Sequence, residues 1–106
     1  MDVREIKSGK ELEKEIENGI TLIDFGAPWC APCLLQEPII HRLATQFEGK
    51  ALIGEMNIDE SRDVALDMGI QSIPTLILFK NGKEIQRFVG LHSEAALSEA
   101  LRKLLM

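Results

Sequence analysis

The chain contains two cysteines, Cys30 and Cys33, which lie three positions apart in the segment WCAPC (29–33). A zinc site usually needs four protein ligands, or three and a water molecule. Only these cysteines, His41 and His92 can supply sulfur or nitrogen, and the usual second pair of ligands is missing. An iron–sulfur cluster would need two more thiolates, which only a second copy could provide. The sequence therefore predicts no metal at the cysteines.

Two non-metal roles remain for Cys30 and Cys33. A purely structural disulfide is disfavoured because so short a loop constrains little of the unfolded chain. A redox pair has a positive mechanism, because a cysteine at a helix start lies near unpaired N–H groups and the positive end of the dipole. We expect Cys30 to be the nucleophile and Cys33, one turn in and more buried, to resolve the mixed disulfide. This exchange needs no cofactor beyond the redox-active disulfide.

The elements around the cysteines agree with a strand-to-helix turn. The segment 20–26, ITLIDFG, is almost wholly apolar, which is typical of a central strand covered on both faces. From about Cys33, apolar residues recur every four positions as far as Gly49, which predicts an amphipathic helix interrupted at Pro38.

The rest of the chain alternates in the same way. Strands are predicted at 3–6, at 50–59 and on both sides of Asn81-Gly82, where the dipeptide is a strong hairpin signal. Helices are predicted at 8–19, at 60–69 and after Ser93. The order is βαβαβαββα, which indicates an α/β domain with a mixed sheet.

Composition limits the remaining possibilities. A chain of 106 residues with 45% hydrophobic content can form one core, so we expect a single domain over residues 1–106. The net charge of −5, with scattered acids, gives no footprint for nucleic acid or an anionic membrane. No signal-peptide-like or membrane-spanning run is present, which favours a cytoplasmic location. We expect the protein to be a monomer.

An ordered set of short motifs resembles the thioredoxin family. The residues that carry the resemblance are DF followed by WCAPC (24–33), NID (57–59), IPT (73–75), FKNG (79–82) and Gly90. The resemblance implies the thioredoxin fold, a five-stranded mixed sheet flanked by four helices, and reduction of disulfides in partner proteins. It also implies regeneration by a thioredoxin reductase. By similarity, a partner segment would dock beside Cys30 on Trp29, Ala31, Pro32, Ile73, Pro74, Gly90 and Leu91.

Asp24 is the one charge in the apolar strand 20–26. From the pattern alone it could face a loop, since a buried unpaired carboxylate is costly. The resemblance implies instead a buried aspartate below Cys33, whose raised pKa suits it as general base for that thiol. The resemblance further implies a cis bond before Pro74, which would turn the Ile73 backbone toward a substrate strand.

The chain departs from the family at four positions near the cysteines. Gly26 replaces the usual tryptophan, Ala31 the usual glycine, Leu34 a frequent lysine and Glu55 the usual lysine near the aspartate. These changes bear on redox potential and partner choice, while the reaction type stands. Two other functions remain open: a disulfide oxidase or isomerase, and a binding subunit that uses the fold only for docking.

Overall fold

The computed structural model describes residues 3–106, so the first two residues of the predicted domain lie outside it. Five strands form one sheet in the order β1-β3-β2-β4-β5. β1 and β2 both pair with β3 in parallel, whereas β4 pairs antiparallel with β2 and β5. The mixed sheet predicted from the order of elements is therefore confirmed. The strands are β1 (Arg4–Ile6), β2 (Ile20–Gly26), β3 (Leu52–Asn57), β4 (Thr75–Lys80) and β5 (Lys83–Val89).

Four helices connect and flank the strands. They are α1 (Gly9–Ile16), α2 (Ala31–Gln46), α3 (Arg62–Asp67) and α4 (Glu94–Leu105). Ser8 and Ser93 cap α1 and α4 by accepting hydrogen bonds from the backbone N–H groups of Glu11 and Ala96. None of these helices in residues 3–106 is both long and apolar enough to cross a lipid bilayer.

The predicted interruption of α2 at Pro38 is wrong, because the helix runs without a break from Ala31 to Gln46. A proline inside a helix removes the hydrogen bond to the carbonyl four residues earlier. That carbonyl belongs to Leu34, and both Leu34 and Pro38 are exposed, so the missing hydrogen bond lies on the solvent side of the helix.

The two faces of the sheet bury separate apolar clusters, and β2 contributes to both. Ile20 and Leu22 pack with residues of α2 and α4, whereas Ile23 and Phe25 pack with residues of α1 and α3. Side chains alternate along a strand, so Asp24 and Gly26 share the face of Leu22 and point toward α2. This alternation places Asp24 under the helix that carries Cys33.

Candidate active site

Cys30 and Cys33 lie at the amino-terminal end of α2 and are joined by a disulfide, with Cα atoms 5.2 Å apart. Cys30 is the N-cap residue, and its Sγ accepts a hydrogen bond from the Cys33 N–H at 3.3 Å. A sulfur in this position lies among the unpaired N–H groups of the first helical turn. After reduction, the helix therefore stabilises the thiolate form of Cys30 over its thiol form.

The expectation that Cys33 is the more buried cysteine is wrong. Both residues are buried, Cys30 at 5% exposure and Cys33 at 8%. A Cβ built on Gly26 would lie 3.1 Å from Cys33 Sγ, so the absence of a side chain at Gly26 lets this sulfur pack closely against the backbone of β2. Position at the helix start, rather than burial, is what distinguishes the two cysteines.

The loop before β4 lies against Cys30. The Ile73–Pro74 peptide is cis, as the resemblance implied. The carbonyl oxygen of Ile73 lies 3.7 Å from Cys30 Sγ, and the Ile73 side chain packs on the cluster of Ala27 and the two cysteines. Gly90, at φ +91°, donates its N–H to the carbonyl of the buried Pro74 at 2.8 Å. Ile73, Pro74 and Gly90 are thus brought together beside the disulfide.

An exposed apolar surface surrounds this end of the molecule. Trp29 is 69% exposed and Leu91 is 47% exposed, and Ala31 and Pro32 are also exposed. The Trp29 indole N–H donates to Asp59 Oδ2 at 2.7 Å, which fixes the ring although it is not packed in the core. Core packing therefore does not explain Trp29.

Gln36 ties the loop of Gly90 and Leu91 to α2. Its side chain is fully buried, and it makes two hydrogen bonds of 2.9 Å with the backbone of His92. The amide donates to the His92 carbonyl and accepts from the His92 N–H. This pairing holds the 90–92 loop at a set distance from the cysteine helix.

Asp24 is buried, at 6% exposure, and its Oδ1 has no hydrogen-bond partner among the residues that the structure describes. Burial, and then the negative charges of Glu55 and Glu37, raise the pKa of Asp24 to about 7. A carboxyl group with this pKa can accept or release a proton near neutrality.

A cavity of about 290 Å³ joins Asp24 to Cys33. Gly26, Leu34, Glu37 and Glu55 are also among the residues that line it. Glu55 lies opposite Asp24 in the register of β2 and β3, which confirms that it approaches the aspartate. Burial and the charge of Glu37 raise the pKa of Glu55 as well. The cavity wall is therefore acidic where the family usually has a lysine.

Comparison with known proteins matches this geometry to one family. The family model described as Thioredoxin matches residues 3–103. The chain belongs to the thioredoxin family. A thioredoxin from Staphylococcus aureus is 39% identical over 93 residues, which cover 88% of this chain and 89% of that protein.

Solved thioredoxin structures agree in fold over nearly the whole chain. A thioredoxin variant from Halobacterium salinarum NRC-1 gives a TM-score of 0.92 at 31% identity, covering 99% of this chain and 92% of that one. The thioredoxin of Malassezia sympodialis gives 0.87 at 29% identity, with the same coverage. The thioredoxin fold expected from the motifs is confirmed.

Family membership and the Cys30–Cys33 disulfide make this chain a dithiol–disulfide oxidoreductase with protein-disulfide reductase activity. Thioredoxins carry out the exchange without a cofactor, act on disulfide substrates, and are reduced by a thioredoxin reductase. These properties hold for the family in general.

Sequence reasoning missed three contributors to the site. Gln36 holds the loop at His92, and Asp59 holds the ring of Trp29, and in both cases the two residues lie far apart in the chain. Asp59 carried a signal, since it ends the NID motif, whereas Gln36 carried none. Nothing in the sequence distinguishes Glu37 from other polar helix residues, although it lines the cavity of Asp24.

Proposed function

We propose that this thioredoxin reduces partner-protein disulfides in two exchange steps, with Cys30 as nucleophile, Cys33 as resolving thiol and Asp24 as proton acceptor. The observation that carries the proposal is the position of Cys30. It caps α2 beside an exposed apolar surface, with Cys33 one turn away. Cys30 Sγ, which accepts the Cys33 N–H, is therefore the sulfur at the helix N-terminus.

In the first step, the Cys30 thiolate attacks one sulfur of the partner disulfide. A bond forms between Cys30 Sγ and that sulfur, the partner S–S bond breaks, and the other partner sulfur leaves as a thiolate. The N–H of Cys33, which points at Cys30 Sγ, favours the attacking thiolate over the thiol.

In the second step, Cys33 loses its proton and attacks Cys30 Sγ. The Cys30–Cys33 disulfide forms, the mixed disulfide breaks, and the second partner sulfur leaves as a thiolate. Two electrons have then passed from the dithiol to the partner. Asp24 lines the same cavity as Cys33 and has a pKa of about 7, which suits it to accept the Cys33 proton at neutral pH.

The partner segment docks on Trp29, Ala31, Pro32, Ile73, Pro74, Gly90 and Leu91. Exposed Trp29 and Leu91 supply apolar contact area, and Ile73 offers backbone groups beside Cys30. Pro74 is buried, so most of its contribution to this docking surface is to shape the loop that presents Ile73.

The remaining parts of the proposal concern the cellular setting. The redox-active disulfide is the sole redox group, and a thioredoxin reductase regenerates the dithiol. The protein acts as a cytoplasmic monomer, a single domain over residues 1–106, and binds neither nucleic acid nor membrane.

Equilibration of the Cys30–Cys33 couple with a glutathione redox buffer tests whether the protein works as a reductant. We expect a potential well below that of the glutathione couple, so that the dithiol stays the donor. A potential above the glutathione couple would make the chain an oxidase or isomerase. A Cys30→Ser, Cys33→Ser double variant tests the docking-subunit alternative, which requires that biological function survive without the thiols.

A further inference from the structure

A second cluster of ligand-type side chains lies next to the cavity of Asp24. Glu37, His41 and Glu55 each offer one oxygen or nitrogen atom, and these atoms all lie within 4.8 Å of one another. Glu37 and His41 are four residues apart on α2, so they share one helix face. Glu55 reaches the same place from β3.

The carboxylates of this cluster have no cationic partner within residues 3–106. Glu5 lies opposite Glu55 in the register of β1 and β3, and Lys7 forms ion pairs with Glu5 and Glu60. Among the groups that act on Glu55, only His41 lowers its pKa. Such a concentration of unpaired negative charge attracts a cation.

Asp24 supplies an independent observation that points to a ligand. Its buried side chain lines the cavity shared with Glu37 and Glu55, and Oδ1 has no hydrogen-bond partner among the described residues. An orphaned buried carboxylate oxygen is rare and costly. A cation beside the cavity would give this carboxylate the opposite charge that it lacks.

We propose that Glu37, His41 and Glu55 bind one divalent transition-metal ion, such as Zn²⁺, beside the cavity lined by Asp24. One imidazole nitrogen and two carboxylate oxygens suit Zn²⁺ and its neighbours better than Ca²⁺ or Mg²⁺, which prefer oxygen ligands alone. Ligand bonds of about 2.0–2.1 Å place tetrahedral donor atoms about 3.4 Å apart. The observed separations are up to 4.8 Å. His41 is exposed, so its side chain can rotate to bring its ring nitrogen closer to the two carboxylates.

The site is distinct from the cysteines, and the sequence did not predict it. Its ligands come from a helix and a strand, and no spacing in the sequence indicates that Glu55 lies beside Glu37 and His41. The disulfide removes both thiolates as competing ligands, which makes the oxidised protein the form in which to measure binding.

Zn²⁺ binding to the oxidised protein, measured by isothermal titration calorimetry, tests the proposal. We expect one ion per chain. The variants Glu37→Gln, His41→Gln and Glu55→Gln should each weaken binding at least about tenfold. Ca²⁺ should bind at least about tenfold more weakly than Zn²⁺.

Two matched controls separate this cluster from other ligands. Glu13→Gln removes an exposed carboxylate on α1, and His92→Gln removes the only other histidine. Both variants should bind Zn²⁺ as the parent does. The proposal is overturned by absence of binding, by binding that the three cluster variants leave intact, by loss of binding in His92→Gln, or by equal affinity for Ca²⁺.

Discussion

Asp24 and Glu55 lie directly opposite each other on the parallel strands β2 and β3, with both side chains on the wall of one cavity. Each carboxyl group is partly or fully buried, and the pKa of each is raised. Two acids so placed hinder each other's ionisation, and they lose their protons in steps that belong to the pair. Burial is the larger cause of the raised pKa of Asp24, and the charge of Glu55 adds to it.

Replacement of Asp24 by asparagine should change how stability depends on pH. Below pH 3.8, the ordinary pKa, folded and unfolded chains both hold the proton, so ionisation of the carboxyl group costs nothing there. Between pH 3.8 and about 7 only the folded state holds it, so stability falls as pH rises. Above that range the penalty is constant, at roughly 4 kcal/mol.

Denaturant unfolding of the oxidised protein at pH 4 and pH 8 measures this effect. Asp24→Asn should be stabilised relative to the parent at pH 8 by several kcal/mol more than at pH 4. The exposed Asp67→Asn, on α3, is the matched control and should show no such difference. An equal effect of Asp24→Asn at both pH values would mean that the carboxyl group is not desolvated.

Glu55→Lys should lower the pKa of Asp24. The change removes a neighbouring negative charge and adds a positive one, and we expect a fall of about one unit. Carboxyl NMR titration measures it directly. Glu13→Lys makes the same charge change on α1 and should leave the Asp24 midpoint where it is, and an unmoved midpoint in Glu55→Lys would contradict the electrostatic account.

Leu34→Lys should raise the thiolate fraction of reduced Cys30 at neutral pH. Leu34 is exposed in the first turn of α2, where an added cation reinforces the helix N-terminus. Ultraviolet thiolate absorbance reports the change. Leu35→Lys adds the same charge at the next, equally exposed position, and a similar rise in both variants would show that position beside the cysteines does not matter.

Gln36→Ala should destabilise the protein by roughly 2–3 kcal/mol and weaken partner docking. The variant removes two buried hydrogen bonds to His92 and frees the loop that carries Leu91. Gln46→Ala, which removes one hydrogen bond from a more exposed residue, should cost less than about 1 kcal/mol. Denaturant midpoints and the KM for a protein disulfide are the measurements, and unchanged KM would deny the loop a role in docking.

The parts of the fold that depend on local signals could be predicted from the sequence. Asn81-Gly82 turns β4 into β5 with both residues at positive φ, and Ser8 and Ser93 cap their helices as expected. The prediction at Pro38 was wrong because a local rule for proline does not say whether the proline lies on the solvent side of its helix. Turn and cap residues therefore predicted where strands and helices lie, whereas the proline rule did not predict whether α2 is interrupted.

The parts of the site that depend on how elements meet could not be predicted in the same way. Gln36 and His92 are 56 positions apart, and nothing in their spacing indicates that they pair. Glu37 and His41 visibly share a helix face, but their meeting with Glu55 depends on how α2 crosses the sheet. The sequence likewise did not show that Cys30 Sγ lies against the carbonyl of Ile73, 43 positions away, or that both cysteines are buried.

Trapping of the mixed disulfide tests the central claim most directly. The single variants Cys33→Ser and Cys30→Ser are each reduced and mixed with a disulfide-containing protein, and covalent adducts are resolved by non-reducing electrophoresis. If Cys30 is the attacking thiolate and Cys33 the resolving thiol, Cys33→Ser accumulates the adduct and Cys30→Ser does not. Accumulation through Cys33 in the Cys30→Ser variant, with none in Cys33→Ser, would contradict the account.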